Sequence, residues 1–212
     1  MNSLRGAWGI ITDHRRPYFV LNAAYYGLVV LGMTYVAVVD PALQEQLLSA
    51  VEGAFAEGPL AAVGGAYLGG NVIAAAVLTF VFNLSVGSLL TITLPSLIVP
   101  FSGLLLGAYR AALWGLILAP TNTELALVMI PHSLTLLLEG QAYILAMLAV
   151  YVQGKAFLWP DSVGAANRSQ GYVTGLKLSA RLYLLVLFVL ALAAVYEALE
   201  VTIMARLASG AI

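Results

Sequence analysis

The feature that most constrains this chain is its longest uncharged stretch: no Asp, Glu, Lys or Arg occurs from Pro59 to Tyr109. Across the 212 residues, 62% are apolar and 9% are charged, whereas soluble domains have about 45–50% apolar and about 25% charged residues. So few charges cannot coat a water-facing surface. The composition therefore predicts that lipid surrounds most of the chain.

In lipid, every backbone N–H and C=O group must find a partner within the protein, which leaves helices and closed barrels. A barrel strand would alternate apolar and polar residues over about ten positions, but the apolar runs here are far longer and unbroken. We therefore predict an all-α polytopic transmembrane helix bundle with about five spans. Charged residues, Gly and Pro divide the chain into predicted spans at residues 18–39, 71–94, 101–119, 125–152 and 182–204.

A short amphipathic helix is predicted between the first two spans, at residues 40–57. Asp40 is a favoured N-cap residue and Pro41 suits the first helical position. The apolar residues that follow share one helical face, while the polar residues Gln44, Glu45, Gln46 and Glu52 lie elsewhere. We expect this helix to lie on the outer membrane surface.

Charge asymmetry predicts the orientation. Seven of the nine basic residues precede the first span or lie between the last two spans: Arg5, Arg15, Arg16, Lys155, Arg168, Lys177 and Arg181. Basic loops stay on the cytoplasmic side, so residues 1–17 and a loop at 153–181 are expected there. The tail 206–212 is expected outside. The prediction is a multi-pass protein of a prokaryotic inner (cell) membrane with one transmembrane domain, residues 18–205.

Several kinds of site are not expected. The chain contains no Cys, so thiolate metal ligands, disulfides and cysteine nucleophiles are excluded. Ser133 follows His132, but adjacent residues on a helix point about 100° apart and no third orienting group is evident. We predict no catalytic, cofactor or metal site and no nucleic-acid partner. The N-terminal sixteen residues lack a signal-peptide core, so we expect this segment to be retained.

Five polar residues are expected inside the membrane. Counting about 1.5 Å per residue from each span boundary places Asn83, Arg110 and Glu139 in one layer. His132 and Glu197 fall in a second layer nearer the outer surface, with Glu200 closer still to that surface. A buried Arg normally has a partner, so we predict that Arg110 pairs with Glu139. This pair has two interpretations, a substrate or proton path and an ion pair that fixes helix register.

Gly103 and Gly107 form a GxxxG step inside the third predicted span. Small residues at this spacing let helix backbones approach closely. We expect close packing within the bundle, and a dimer interface is the alternative.

Some motifs resemble the stage II sporulation protein M family of integral membrane proteins. The similarity covers roughly residues 70–205 and rests on Asn83 and on three segments, which are Pro100-Phe101-Ser102-Gly103-Leu104-Leu105-Leu106-Gly107, Ile130-Pro131-His132-Ser133 and Tyr196-Glu197-Ala198. The chain departs from the family pattern at Ser102, Ser133 and Leu136, where the family has Asn, Gly and Glu. The resemblance implies a non-enzymatic membrane protein, in spore formers one similar to the anchor of peptidoglycan-cleaving partners.

The leading sequence-based hypothesis is a non-enzymatic membrane scaffold or assembly subunit. Its expected partners are the lipid bilayer and other membrane proteins, in a larger complex or a homo-oligomer. The alternative is a small transporter or permease-like subunit with an intramembrane charged path through Glu139 and Glu197.

Overall fold

The computed structural model describes residues 2–58 and 60–208, and within these ranges it is helical with no strand. The predicted all-α class is confirmed. The helices are α1 (Asn2–Asp13), α2 (Arg15–Val38), α3 (Pro41–Ala56), α4 (Ala61–Leu68), α5 (Val72–Phe82), α6 (Leu94–Ile98), α7 (Ser102–Ile117), α8 (Thr123–Leu158) and α9 (Arg168–Ala208). A π-helical segment, Asn83–Thr93, joins α5 to α6, and a 3-10 turn, Pro160–Val163, follows α8.

Four helices in the described ranges are long and apolar enough to cross a membrane: Arg15–Val38, Val72–Ile98, Thr123–Leu158 and Arg168–Leu207. The remaining predicted span, 101–119, corresponds to α7, which has 16 residues and a length of about 24 Å. That is less than the roughly 30 Å of the hydrocarbon core. The chain is a membrane protein with four long apolar helices and one short apolar helix.

Asparagine and aspartate side chains start three of the helices. Asp40 accepts a hydrogen bond from the Leu43 backbone N–H, and Pro41 is the first residue of α3, as its sequence predicts. Asn71 and Asn122 accept equivalent bonds at the starts of α5 and α8. Each cap satisfies an N–H group that has no partner inside the helix.

The segment 153–181, expected as a loop, is largely helical. Helix α8 continues to Leu158 and α9 begins at Arg168. The two helices stay in close contact through this region. A Cβ added at Gly171 would collide with the Ala156 carbonyl oxygen, so the backbones meet there. Lys and Arg are also good helix formers, so the basic residues of this segment do not end the helices.

Helix α8 is the centre of the bundle. Its residues from Ala142 to Val150 are all buried, and its most extensive contacts are with α9. Two ends of the bundle differ in charge. We call the end with Arg15, Lys155 and Arg168 the basic end, and the end with Asp40 and Glu124 the acidic end.

The predicted N-terminal segment 1–17 and tail 206–212 are largely helical where the structure describes them. Residues 2–13 form α1, and α9 continues to Ala208. The rest of the tail lies outside the described residues.

Candidate intramembrane polar site

A cavity of about 100 Å³ lies inside the bundle, and all five polar residues chosen from the sequence line it. Tyr25 on its wall lies about 15 Å from the start of α2 and about 20 Å from its end. The cavity is therefore near the middle of a helix long enough to cross a membrane. The two layers expected from the sequence meet in one site, whose polar members are Asn83, Arg110, His132, Glu139 and Glu197.

Glu139 on α8 is held by Asn83, the first residue of the π-helical segment. The Asn83 side-chain amide donates a hydrogen bond to the Glu139 carboxyl group. Asn83 is itself buried, with 8% of its surface exposed. π-Helical turns often occur at functional sites. The position of Asn83 at the start of such a segment therefore supports this cavity as the candidate functional site.

Arg110 on α7 contacts two aromatic rings. Its guanidinium group donates a 2.8 Å hydrogen bond to the Tyr143 hydroxyl, and its central carbon lies 4.3 Å from the centroid of that ring. The Trp114 ring centroid is 5.6 Å away. Such placement gives a cation–π attraction that grows as water is excluded. The Arg110 Nε atom is buried without a hydrogen-bond partner.

The predicted ion pair between Arg110 and Glu139 is not direct. Both residues are described, and no N···O distance of 4.0 Å or less joins them, although they line the same cavity. Tyr143 follows Glu139 by one helical turn and takes the Arg110 hydrogen bond in place of the carboxylate. The two charges therefore face the same cavity without touching.

Glu139 shares the cavity with a second acidic residue. Glu139 on α8 and Glu197 on α9 both line it, and we call these two residues the carboxyl pair. The Glu197 Oε2 atom is buried without a hydrogen-bond partner. Two acidic side chains from different helices therefore face one buried cavity.

His132 pairs with Glu200, not with Glu197. The His132 Nδ1 atom lies 3.2 Å from a Glu200 carboxylate oxygen, and the Thr135 hydroxyl donates a 2.8 Å hydrogen bond to the same carboxylate. Glu200 is 7% exposed, although the sequence placed it nearer the surface. The i, i+3 spacing of Glu197 and Glu200 keeps both on one face of α9, so the second carboxylate also reaches α8.

Sequence reasoning missed the tyrosines of the site. Tyr25 and Tyr143 line the cavity and are each 1% exposed. The sequence feature that could have identified them is their depth in the predicted spans, which is about the same as that of the charged residues. In the part of the chain that the structure describes, no group of three or more His, Asp or Glu residues is arranged to hold a metal ion.

Gly103 and Gly107 both face neighbouring helices and lie outside this cavity. An added Cβ at Gly103 would collide with the Ile92 carbonyl oxygen of the π-helical segment, and one at Gly107 would lie 2.6 Å from the Met147 sulfur on α8. These contacts are within the chain, which is the packing role expected from the GxxxG step.

No protein-family model matches the chain, and no curated protein or solved structure matches it significantly. The resemblance to the stage II sporulation protein M family therefore stays a prediction.

Proposed function

We propose that this protein is a small transporter of the cell membrane that moves protons along an intramembrane path through Glu139 and Glu197. The observation that carries the proposal is the convergence of Arg110, Glu139, Glu197 and His132 on one cavity. An ionised side chain at the centre of a bilayer costs about 2.5–3.5 kcal/mol on insertion scales. Clusters of such groups are typical of ion and proton pathways, where function offsets this cost.

The cavity wall suggests where protons enter. Phe55 of α3, Leu60 and Val63 of α4 line the cavity from the acidic end of the bundle. His132 and Glu200 lie on the same side, in contact with each other. A neutral imidazole accepts a proton at one ring nitrogen and donates from the other. We propose that His132 passes protons between the outer side and the carboxyl pair.

Buried polar atoms continue from the cavity toward the basic end. The Ser88 hydroxyl and both side-chain amide atoms of Gln153 are buried without hydrogen-bond partners. Tyr183 reaches the Ser88 carbonyl oxygen with a 3.3 Å bond. Buried polar groups are normally satisfied, often by ordered water. Water at Ser88 and Gln153 would provide the inner half of a proton path.

The proposed orientation places the basic end in the cytoplasm, because basic residues are retained there. The chain then crosses the membrane several times with its N-terminus inside. The carboxyl pair lies between an outer branch at His132 and an inner branch at Gln153.

Proton flux in vesicles tests the proposal. The purified protein is reconstituted into liposomes that contain a pH-sensitive dye, and valinomycin with a potassium gradient makes the interior negative. We expect wild-type vesicles to acidify faster than protein-free vesicles, and Glu197→Gln to abolish the difference. Glu52→Gln is the matched control, since Glu52 is exposed on α3. Absence of protein-dependent acidification would overturn the proposal.

The second candidate is the non-enzymatic scaffold, which anchors partner proteins within a complex or homo-oligomer. Its support is that several cavity groups satisfy one another: Asn83 with Glu139, Arg110 with Tyr143, and His132 with Glu200. Such mutual pairing also fixes helix register. The resemblance to the stage II sporulation protein M family favours this candidate. A scaffold would give no proton flux and would co-purify with a defined partner in mild detergent.

A further inference from the structure

Helix α1 is amphipathic and packs against α9, where Leu185 and Phe188 face it. Its residues Ala7, Ile10 and Ile11 are buried against the bundle. The other face exposes Leu4 by 52% and Trp8 by 64%. Trp and Arg together are typical of the boundary between lipid and water, so the exposed face of α1 suits contact with lipid.

A groove of about 520 Å³ separates the exposed face of α1 from α9. Its floor on α9 is Leu185 and Phe188, and Phe188 is 65% exposed. Its α1 side consists of Leu4, Arg5, Trp8 and Gly9. Among the described residues that line it, Arg5 is the charged one, so the groove is an apolar channel with a cation at one edge.

We propose that this groove binds an anionic phospholipid, with the phosphate on Arg5 and an acyl chain against Leu185 and Phe188. The charge around the groove favours an anionic headgroup over a zwitterionic one. Arg181 precedes Leu185 by four residues and Phe188 by seven, so it lies on the same face of α9. Clusters of basic residues beside a membrane attract anionic lipids.

Gly9 makes the groove testable without disturbing the fold. An added Cβ at Gly9 would meet no heavy atom within 4 Å, and the same holds for Gly6. Gly9 lines the groove and Gly6 does not. Gly9→Leu therefore fills the groove, and Gly6→Leu is a matched control on the same helix.

Fluorescence quenching of Trp8 measures occupancy of the groove. Trp114→Phe and Trp159→Phe leave Trp8 as the single tryptophan, and brominated phosphatidylglycerol or phosphatidylcholine is titrated into the detergent-solubilised protein. We expect half-maximal quenching at a several-fold lower mole fraction of phosphatidylglycerol. Arg5→Gln should remove that preference, Gly9→Leu should weaken quenching by both lipids, and Gly6→Leu should change neither.

Native mass spectrometry of the protein with all three tryptophans provides a second measurement. The wild-type protein should retain one phosphatidylglycerol more strongly than phosphatidylcholine, and Arg5→Gln should retain both equally. Equal quenching by the two lipids, or an unchanged preference in Arg5→Gln, would overturn the proposal. Neither measurement depends on proton flux, so this site and the proposed function stand or fall separately.

Discussion

Arg110 donates its hydrogen bond to Tyr143, which stands one helical turn beyond Glu139 on α8. The tyrosine thus separates the cation from the carboxylate that the sequence predicted as its partner. Its ring also provides the face that the guanidinium group covers at 4.3 Å. One side chain therefore stabilises the buried cation in two ways.

The two contributions of Tyr143 can be separated by mutation. Tyr143→Phe keeps the ring but removes the hydroxyl, leaving another buried Arg110 donor without a partner, at a cost of about 1–3 kcal/mol. Tyr143→Leu also removes the cation–π contact and should cost more. Reversible unfolding in mixed micelles measures both free energies. A Tyr143→Phe protein as stable as the wild type would show that the hydrogen bond contributes nothing.

Arg110 and Glu139 should be energetically coupled even without direct contact, because opposite charges facing one low-dielectric cavity attract each other. Arg110→Leu leaves the carboxyl groups without this cation, and the loss should be smaller than the about 3–5 kcal/mol that is typical of breaking a buried pair in direct contact. The double change with Glu139→Leu should recover much of that loss. Additive losses in the double-mutant cycle would mean that the two side chains do not interact.

The five polar residues of the cavity could be predicted from the sequence because depth follows from distance along an apolar span. Their partners could not, because depth does not give the rotation of one helix about its axis relative to another. This is why Glu139 was assigned to Arg110, while the structure places Asn83 beside it. The same limit concealed Glu200 as the partner of His132.

No sequence pattern identifies two features of the fold, the π-helical segment and the burial of Gln44. The π-helical segment NLSVGSLLTIT has no periodicity that distinguishes it from an α-helix, and Gly103 of α7 packs closely against its residue Ile92. Gln44 was assigned to the polar side of α3, but it is 2% exposed. Its amide group binds the end of α7, a tertiary contact that helical periodicity does not reveal.

Gln44 should be needed to attach α3 to the bundle. Its Nε2 atom donates to the carbonyl oxygens of Ile117 and Ala119 at 2.9 and 2.7 Å, and Thr121 donates to its Oε1 atom at 2.6 Å. Gln44→Leu leaves buried carbonyl groups unsatisfied and should lower stability by about 1–3 kcal/mol. Gln46→Leu, at an exposed position of the same helix, should have little effect. Equal losses in both variants would contradict this role.

The glycines of α7 should differ in their tolerance of a methyl group. Gly103→Ala forces a collision with backbone at Ile92, whereas Gly107→Ala meets the flexible side chain of Met147. Overpacking costs typically about 1–3 kcal/mol, so Gly103→Ala should fall at or above the upper end and Gly107→Ala near the lower end. Gly27→Ala, where an added Cβ meets nothing within 4 Å, is the control. The opposite order of thermal unfolding midpoints would contradict the predicted packing.

Gln153 distinguishes a proton path from a purely structural core. The Gln153 amide has no hydrogen-bond partner in the described protein, so Gln153→Leu leaves no protein group unpaired and should keep most of the wild-type stability. On the proposed inner path, however, the same change removes the groups that hold water, and proton uptake into vesicles should fall several-fold. Leu148→Met, a volume-conserving change at a buried position of the same helix, is the control and should leave uptake unchanged. Stability retained together with unchanged uptake in Gln153→Leu would exclude Gln153 from the path.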